Sequence, residues 1–414
     1  MGGEFVETEL GQLLTFANGR TSPKRVDGRP YPVYGSNGII GYANESNASA
    51  NSIVIGRVGS YCGSLYFSKH KSWVTDNAIR ASALGNNDPQ FLFYLLSTLN
   101  LNRLRAGSGQ PLLNQEILSR IQTSVPEPTE QRAIALILGT LDDKIELDWR
   151  MNETLGAIAQ ALFKSWFVDF DPVRAKSEGR DSKLTESIAN PFPRSFEGSE
   201  LGRIPKGWRV VRIGEICEVI DCLHSKKPER LEFGLPLLQL SNIRDDGLID
   251  MEDSYFISED DYRKWVSRME AKPGDCVITN VGRVGAVAQM PAGKKAALGR
   301  NMTGIRCKPN FPHPTFLIEC LVSDAMNDEI GTKIDSGTIL DALNVRNIPK
   351  LRFICASDDI LRKFEILMRP LRAQMEGNLA NARTLGAVRN ALLPKLTSCE
   401  IRMKDADKIV GAVA

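Results

Sequence analysis

The pattern of apolar and polar positions divides the 414-residue chain into two halves built to one plan. In residues 1–128 and again in 206–356, short β-branched runs are broken by Gly, Asn and Pro. That punctuation predicts short strands joined by tight turns, in two mixed α/β globules. A long stretch of helical period follows each globule. From Ile134, steps of four and three residues land on Leu138, Leu141, Ile145, Asp148, Asn152, Leu155, Ala159, Leu162 and Trp166. The second stretch reads Phe364, Met368, Leu371, Met375, Asn378, Ala382, Leu385, Arg389, Leu392 and Leu396. Both are heptad seams, and their polar steps weaken apolar contact while offering a way to fix register.

The predicted organisation is therefore a globule over 1–128, a long helix over 129–172 and a linker over 173–205. A second globule over 206–356, a second long helix over 357–398 and a tail over 399–414 complete it. A helix of about 35 residues is ~50 Å long at ~1.5 Å per residue, well beyond ordinary length. Two repeats related by a two-fold axis would lay the helices side by side and antiparallel, each covering the other's stripe. Pro370 interrupts the second pattern and predicts a kink or a late helix start. Pro172 and Pro394 are placed to end the two helices.

The two halves repeat at the level of residues as well. Leu10-Gly11 matches Ile213-Gly214, and Ile53-Val-Ile-Gly-Arg-Val-Gly59 matches Val277-Ile-Thr-Asn-Val-Gly282, so that Asn280 stands where Arg57 stands. Asp76-Asn77 matches Arg300-Asn301, Pro89-Gln-Phe-Leu92 matches Pro314-Thr-Phe-Leu317, and Asn114 matches Asn344. The spacing between partners grows along the chain, so the second copy has insertions in its loops. Thr154-Leu155-Gly156 and Thr384-Leu385-Gly386 then lock the register of the helices.

Composition narrows the class. Hydrophobic residues at 42% and charged residues at 25% are ordinary globular values and exclude a disordered or largely membrane-embedded chain. No basic-then-apolar leader follows Met1 and no apolar run approaches the ~18 residues that cross a bilayer, so a reducing cytoplasm is expected. The eight cysteines include no C-x-x-C pair, and three histidines leave little material for a zinc site or an acid–base network. Cys217, Cys222 and His224 match no zinc spacing, and no metal is expected. There is no G-x-x-x-x-G-K-[ST] loop and no G-x-S-x-G elbow. Gly2-Gly3-Glu4-Phe5 and Asn190-Pro-Phe-Pro193 resemble cyclase and methyltransferase signatures, yet one stands at the extreme terminus and the other reads as a turn.

A formal net charge of +2 supplies no overall field toward polyanions, so any such binding must come from local patches. Glycine-rich polar loops offer them. Thin loops let a backbone approach a phosphate, while Arg, Asn and Gln pair donors and acceptors with purine edges in the major groove. The candidate readers are Arg20, Asn37, Arg57, Asn77 and Gln110 in the first half, and Asn242, Arg244, Arg283, Arg300 and Asn301 in the second. The candidate helix contacts are Ile134, Leu138, Leu141, Ile145, Leu155, Leu162, Trp166, Phe364, Leu371, Leu385 and Leu392.

One long motif is specific. Ala161-Leu-Phe-Lys-Ser-Trp-Phe-Val-Asp-Phe-Asp-Pro-Val-Arg-Ala-Lys176, then Gly198-Ser-Glu-Leu-Gly-Arg-Ile-Pro-Lys-Gly-Trp208 and Ile213-Gly-Glu-Ile216, resembles the specificity subunit of type I restriction-modification enzymes. Tyr34-Gly-Ser-Asn-Gly-Ile-Ile-Gly-Tyr42 resembles a recurring element of the first recognition domain in that family. The resemblance implies an α+β chain with two similar α/β target-recognition domains, separated by two long antiparallel coiled-coil helices in a pseudo-two-fold repeat. It implies double-stranded DNA as ligand, with each domain reading one half of a bipartite asymmetric sequence and the helices setting the gap. Two methyltransferase subunits and two restriction/translocase subunits are the implied partners, without a membrane. S-adenosylmethionine, ATP and Mg would then belong to those partners, leaving this chain without cofactor or catalysis. Weak DNA binding by the isolated chain follows from the near-neutral charge. A tandem-repeat scaffold that binds only proteins is the alternative from another class, and a stand-alone methyltransferase or nuclease is the enzyme alternative.

Overall fold

A computed structural model describes residues 5–104, 112–252, 254–335, 341–398 and 400. The chain forms two units, one of residues 1–146 with 382–414 and one of residues 147–381.

In the first unit β1 (Val6–Glu9), α1 (Leu10–Leu13), β2 (Leu14–Asn18), β3 (Tyr31–Gly35), β4 (Gly38–Ala43), β5 (Ser52–Gly56), β6 (Leu65–Ser68), β7 (Trp73–Val74) and β8 (Ala78–Ala83) come first. α2 (Pro89–Thr98), α3 (Gln115–Ser119) and β9 (Gln122–Val125) follow, and α4 (Pro128–Phe167) begins. One antiparallel sheet has the order β2-β8-β5-β6, a second β4-β3-β7, and β1 pairs with β9. Ile53, Val54 and Ile55 of β5 are fully buried, so both faces of this central strand are covered. α2 starts where Asp88 accepts the N–H groups of Gln90 and Phe91, with Pro89 in the first turn. Its Phe91, Leu92 and Leu96 share one core with Ile134, Leu138 and Leu141 of α4 and with Leu385, Leu392 and Leu396.

The second unit continues α4 and adds α5 (Asp171–Ser177), α6 (Glu186–Ala189), β10 (Phe196–Ser199), β11 (Gly202–Pro205), β12 (Arg209–Arg212), α7 (Ile213–Ile216) and β13 (Cys217–Asp221). Next come β14 (Leu235–Leu238), β15 (Tyr255–Ile257), α8 (Glu259–Trp265), β16 (Glu270–Ala271), β17 (Cys276–Thr279), β18 (Val287–Gln289), β19 (Ala296–Leu298) and β20 (Met302–Cys307). The unit ends with α9 (Pro314–Leu321), α10 (Asp324–Gly331), β21 (Ile334–Asp335), β22 (Ala342–Leu343), β23 (Arg352–Cys355) and the start of α11 (Asp358–Thr397). Its sheet order β13-β20-β17-β18 repeats β2-β8-β5-β6. β14 pairs antiparallel with β15 and parallel with β19, as β3 does with β4 and β7. The second copy adds α8 and β16 between these strands, which is where its extra length lies. The class is α+β, with one plan used twice.

Residues 173–205, read from the sequence as a linker, are built into the core of the second unit. Phe192 stands edge-on to Trp166 at 5.1 Å between ring centroids, and both lie in one cluster with Val173, Ile204 and Trp208. Lys176 Nζ donates to the carbonyls of Asn190 and Phe192, so the Asn-Pro-Phe-Pro run is a packing anchor.

α4 and α11 are each 40 residues, ~60 Å at ~1.5 Å per residue. Within the second unit they run antiparallel: Asp148 accepts from Asn381 at 2.7 Å, Asn152 donates to the Met375 carbonyl, and Trp166 packs on Phe364. In the first unit Arg389 Nη1 donates to Asp142 at 2.6 Å. Ile145, Leu155, Leu162 and Leu371 are half-buried; the remaining apolar seam positions are buried.

Two proline expectations need correction, and of the two outcomes expected at Pro370 the late start does not occur. α11 runs from Asp358 through Pro370, with no late start. Phe364 and Met368 before the proline and Arg372 and Met375 after it are buried, so packing on both sides offsets the ~3 kcal/mol penalty. Pro394 also lies inside the helix, which extends to Thr397. α4 already ends at Phe167, and Pro172 instead sits in the first turn of α5, where a missing N–H costs nothing.

The polar steps of the seam form a buried relay. Asn378 donates to Asn152 Oδ1 at 2.8 Å and accepts from Gln374. Asn378→Leu strands the buried Asn152 Oδ1, and a loss of roughly 1–3 kcal/mol is expected in denaturant unfolding. The Asn152→Leu, Asn378→Leu double variant should recover most of it; a double variant as unstable as the single one contradicts this account.

Candidate nucleic-acid interface

In the first unit the strand ends converge. Asp76 N–H donates to the Arg20 carbonyl at 2.9 Å, Arg57 N–H to the Asn77 carbonyl at 3.0 Å, and Leu113 N–H to the Arg57 carbonyl at 3.1 Å. Asn37 lies exposed in the Ser36-Asn37 turn between β3 and β4, and the Ser36 carbonyl presses against Gly56. A Cβ at Gly56 would collide with the Tyr61 carbonyl, so only glycine lets these turns close on Arg57. Arg20, Asn37, Arg57 and Asn77 therefore share one loop cluster. Gln110 lies outside the described residues. The Arg57 guanidinium is half-buried, with Nη1 donating to the Asp76 carbonyl at 3.3 Å and Nε without a partner among the described residues.

The second unit repeats the junction. Asn280 N–H donates to the Asn301 carbonyl at 2.8 Å and Leu343 N–H to the Asn280 carbonyl at 2.9 Å. The bridge between Val58 and Leu112 in the first unit reappears as one between Val281 and Ala342 in the second. Position 280 is thus the structural counterpart of position 57, and 301 of 77. The side chains differ in kind. Asn280 is only 7% exposed and spends its amide on the Leu343 carbonyl and the Thr303 hydroxyl. The cation stands instead on Arg300, which occupies the place of Asp76 and is exposed without a partner among the described residues. Asn301 beside it adopts φ of 63°, a left-handed turn that Asn tolerates.

Arg300 and Asn301 line a cleft of about 340 Å³ with Lys227, Gln239 and Trp265. Sequence reasoning missed the last three, because nothing local marks a residue that a distant turn brings into a cleft. Three other candidates are withdrawn from such a surface. Asn242 is 1% exposed, accepting from Gln239 N–H and donating to the Asp250 carbonyl. Arg244 binds Asp246 through two nitrogens and lies over the Trp149 ring at 4.7 Å. Arg283 ties the Leu240 and Ile243 carbonyls to Asp245. All three hold the 240–250 loop in shape.

The cysteines are packing residues. Six of the seven described are buried, and burial pushes the Cys276, Cys320 and Cys355 thiols up, Cys355 to about 11, which keeps them protonated. Asp221, Cys222 and His224 have donor atoms within 4.8 Å of one another. His224 already sits 2.8 Å from the Asp221 carboxylate and Arg268 3.6 Å from it, so a metal cation would have to displace both.

The type I restriction modification DNA specificity domain matches residues 3–156. The chain is 27% identical over 330 residues to the type I restriction enzyme MjaIX specificity subunit of Methanocaldococcus jannaschii, covering 76% of this chain and 70% of that one. It is 25% identical over 361 residues to the HindI specificity subunit of Haemophilus influenzae, covering 76% and 77%. The crystal structure of a type I restriction-modification S subunit from M. genitalium superposes with a TM-score of 0.64 at 15% identity, over 95% of this chain and 96% of that one, and shows the same fold. The chain is thus similar in sequence to type I restriction enzyme specificity subunits over 76% of its length.

Proposed function

We propose that this chain gives a type I restriction-modification complex its DNA sequence specificity, each unit reading one half of a bipartite, asymmetric target. The supporting observation is the doubled junction: one hydrogen-bond frame presents Arg57 beside Asp76 in one unit and Arg300 beside Asn280 in the other. Similar frames with different donors and acceptors are what two different half-sites require. The chain itself is non-catalytic, and S-adenosylmethionine, ATP and Mg act on partner subunits.

Two methyltransferase and two restriction/translocase subunits are the proposed partners. Leu147, Met151 and Ile158 support docking, since they form an exposed apolar stripe on one face of α4. The long helices set the gap between half-sites; deleting one matched heptad from each should shorten the gap in the methylated sequence, and an unaltered gap refutes that role. The isolated chain should bind DNA weakly, because partners supply much of the phosphate neutralisation.

The test is reconstitution. The chain combined with partner methyltransferase subunits of a type I system should methylate adenines in one bipartite sequence of a randomised duplex pool, whereas those subunits alone should show no such sequence. Equal patterns with and without the chain overturn the proposal.

A further inference from the structure

A second repeated feature lies outside the readers. The loop between β2 and β3 contains Pro23-Lys24-Arg25-Val26, and the loop between β13 and β14 contains Pro228-Glu229-Arg230-Leu231. Each is fastened by the same bond: Val26 N–H donates to the Tyr42 carbonyl and Leu231 N–H to the Phe256 carbonyl, both at 2.9 Å. Tyr42 and Phe256 are themselves equivalent, lying opposite Pro32 and Pro236 in their ladders. Both loops thereby cover the free edge of an outer strand, β4 or β15.

Charged side chains of either sign can guard a sheet edge, but in both loops cations outnumber carboxylates. In residues 20–29 Arg20, Lys24, Arg25 and Arg29 stand against the single carboxylate of Asp27, a local excess above the formal +2 of the entire chain. All four cations are exposed and none has an ion-pair partner among the described residues. Arg25 is held in place by its Nη1 bond to the Ile40 carbonyl at 3.1 Å and by its stem lying on Gly41. In the second unit Tyr255 does the fastening: its hydroxyl donates to the Pro228 carbonyl at 2.7 Å, and Lys227 and Arg230 flank its ring. The first loop starts at Arg20, whose carbonyl accepts from Asp76, so it leads directly out of the reading junction. Lys227 likewise lines the Arg300 cleft.

We infer that these two loops are the phosphate-backbone anchors of the two units, with Lys24, Arg25 and Arg29 in one and Lys226, Lys227 and Arg230 in the other. The inference rests on the DNA-reading function proposed above and adds a division of labour: strand-end side chains read bases, and the edge loops hold the duplex in register without reading it.

The test uses the chain assembled with its methyltransferase partners, with Lys24→Ala and Arg29→Ala combined, since neither side chain holds the loop in shape. Binding to a duplex with the methylated sequence and to an unrelated duplex is measured across a salt series. Affinity should fall about tenfold on both duplexes, and the slope of log affinity against log salt should drop by roughly two, while the methylated sequence stays the same. Thermal unfolding of the variant should match the wild type. An unchanged slope overturns the anchor, as does a change of methylated sequence. Failure of the wild-type complex to prefer any duplex would instead strike the reading function.

Discussion

Arg57→Ala should relax or erase one half of the methylated sequence and leave the other half intact. A bidentate guanidinium on a guanine edge is worth about 1–3 kcal/mol of discrimination, about fivefold to more than a hundredfold, so the effect should be plain in a map of methylated sites. Arg57→Lys separates reading from charge. Lysine keeps the cation but not the fork, so it should lose sequence preference nearly as fully as alanine. The second unit supplies the counter-experiment. Arg300→Ala should relax the opposite half-site, because Arg300 is the free cation of that junction. Arg244→Ala and Arg283→Ala should leave the recognised sequence unchanged and lower the stability of the unit, because their guanidinium groups are spent on Asp246, Asp245 and loop carbonyls. If Arg283→Ala rewrites a half-site and Arg300→Ala does not, the assignment of readers is wrong.

The largest stability effect should come from a pair that touches no ligand. Arg372 of α11 donates through Nε to Glu319 of α9 at 2.8 Å, with side chains 6% and 3% exposed, and its Nη1 reaches the Gly247 carbonyl. A pair this deep adds little over well-packed apolar residues, yet removing one member strands the other charge away from water. Glu319→Ala should therefore cost roughly 3–5 kcal/mol in equilibrium unfolding of the second unit. Glu319→Leu combined with Arg372→Met should restore most of that loss. A single variant within about 1 kcal/mol of the wild type would show that the charge finds solvent, contrary to the packing described.

The sequence made some parts of this structure plain for physical reasons. A heptad seam repeats over ten positions, so one proline or asparagine cannot hide it, and both long helices were readable. The ends expected at Pro172 and Pro394 and the late start allowed for at Pro370 were not realised, because backbone penalties of a few kcal/mol are local, whereas the packing of Phe364, Met368 and Met375 around Pro370 is not. The strand-end loops were legible through glycine and asparagine repeats, and the Arg57–Asn280 exchange is visible in the residues alone. What could not be seen was which cations are free. Arg244 lies two residues from the carboxylate that occupies it, and Arg283 bonds residues some forty positions away. The edge loops were missed although a signal exists, the Pro-x-Arg-aliphatic run at 23–26 and 228–231.

The measurement that bears most directly on the central claim is a genome-wide map of methylated adenine, made by single-molecule sequencing in cells with this gene and in cells from which it has been removed. The account predicts one bipartite, asymmetric sequence, two short specified halves flanking an unspecified gap, methylated with the gene and unmethylated without it. A methylation pattern that is the same in both strains would contradict it.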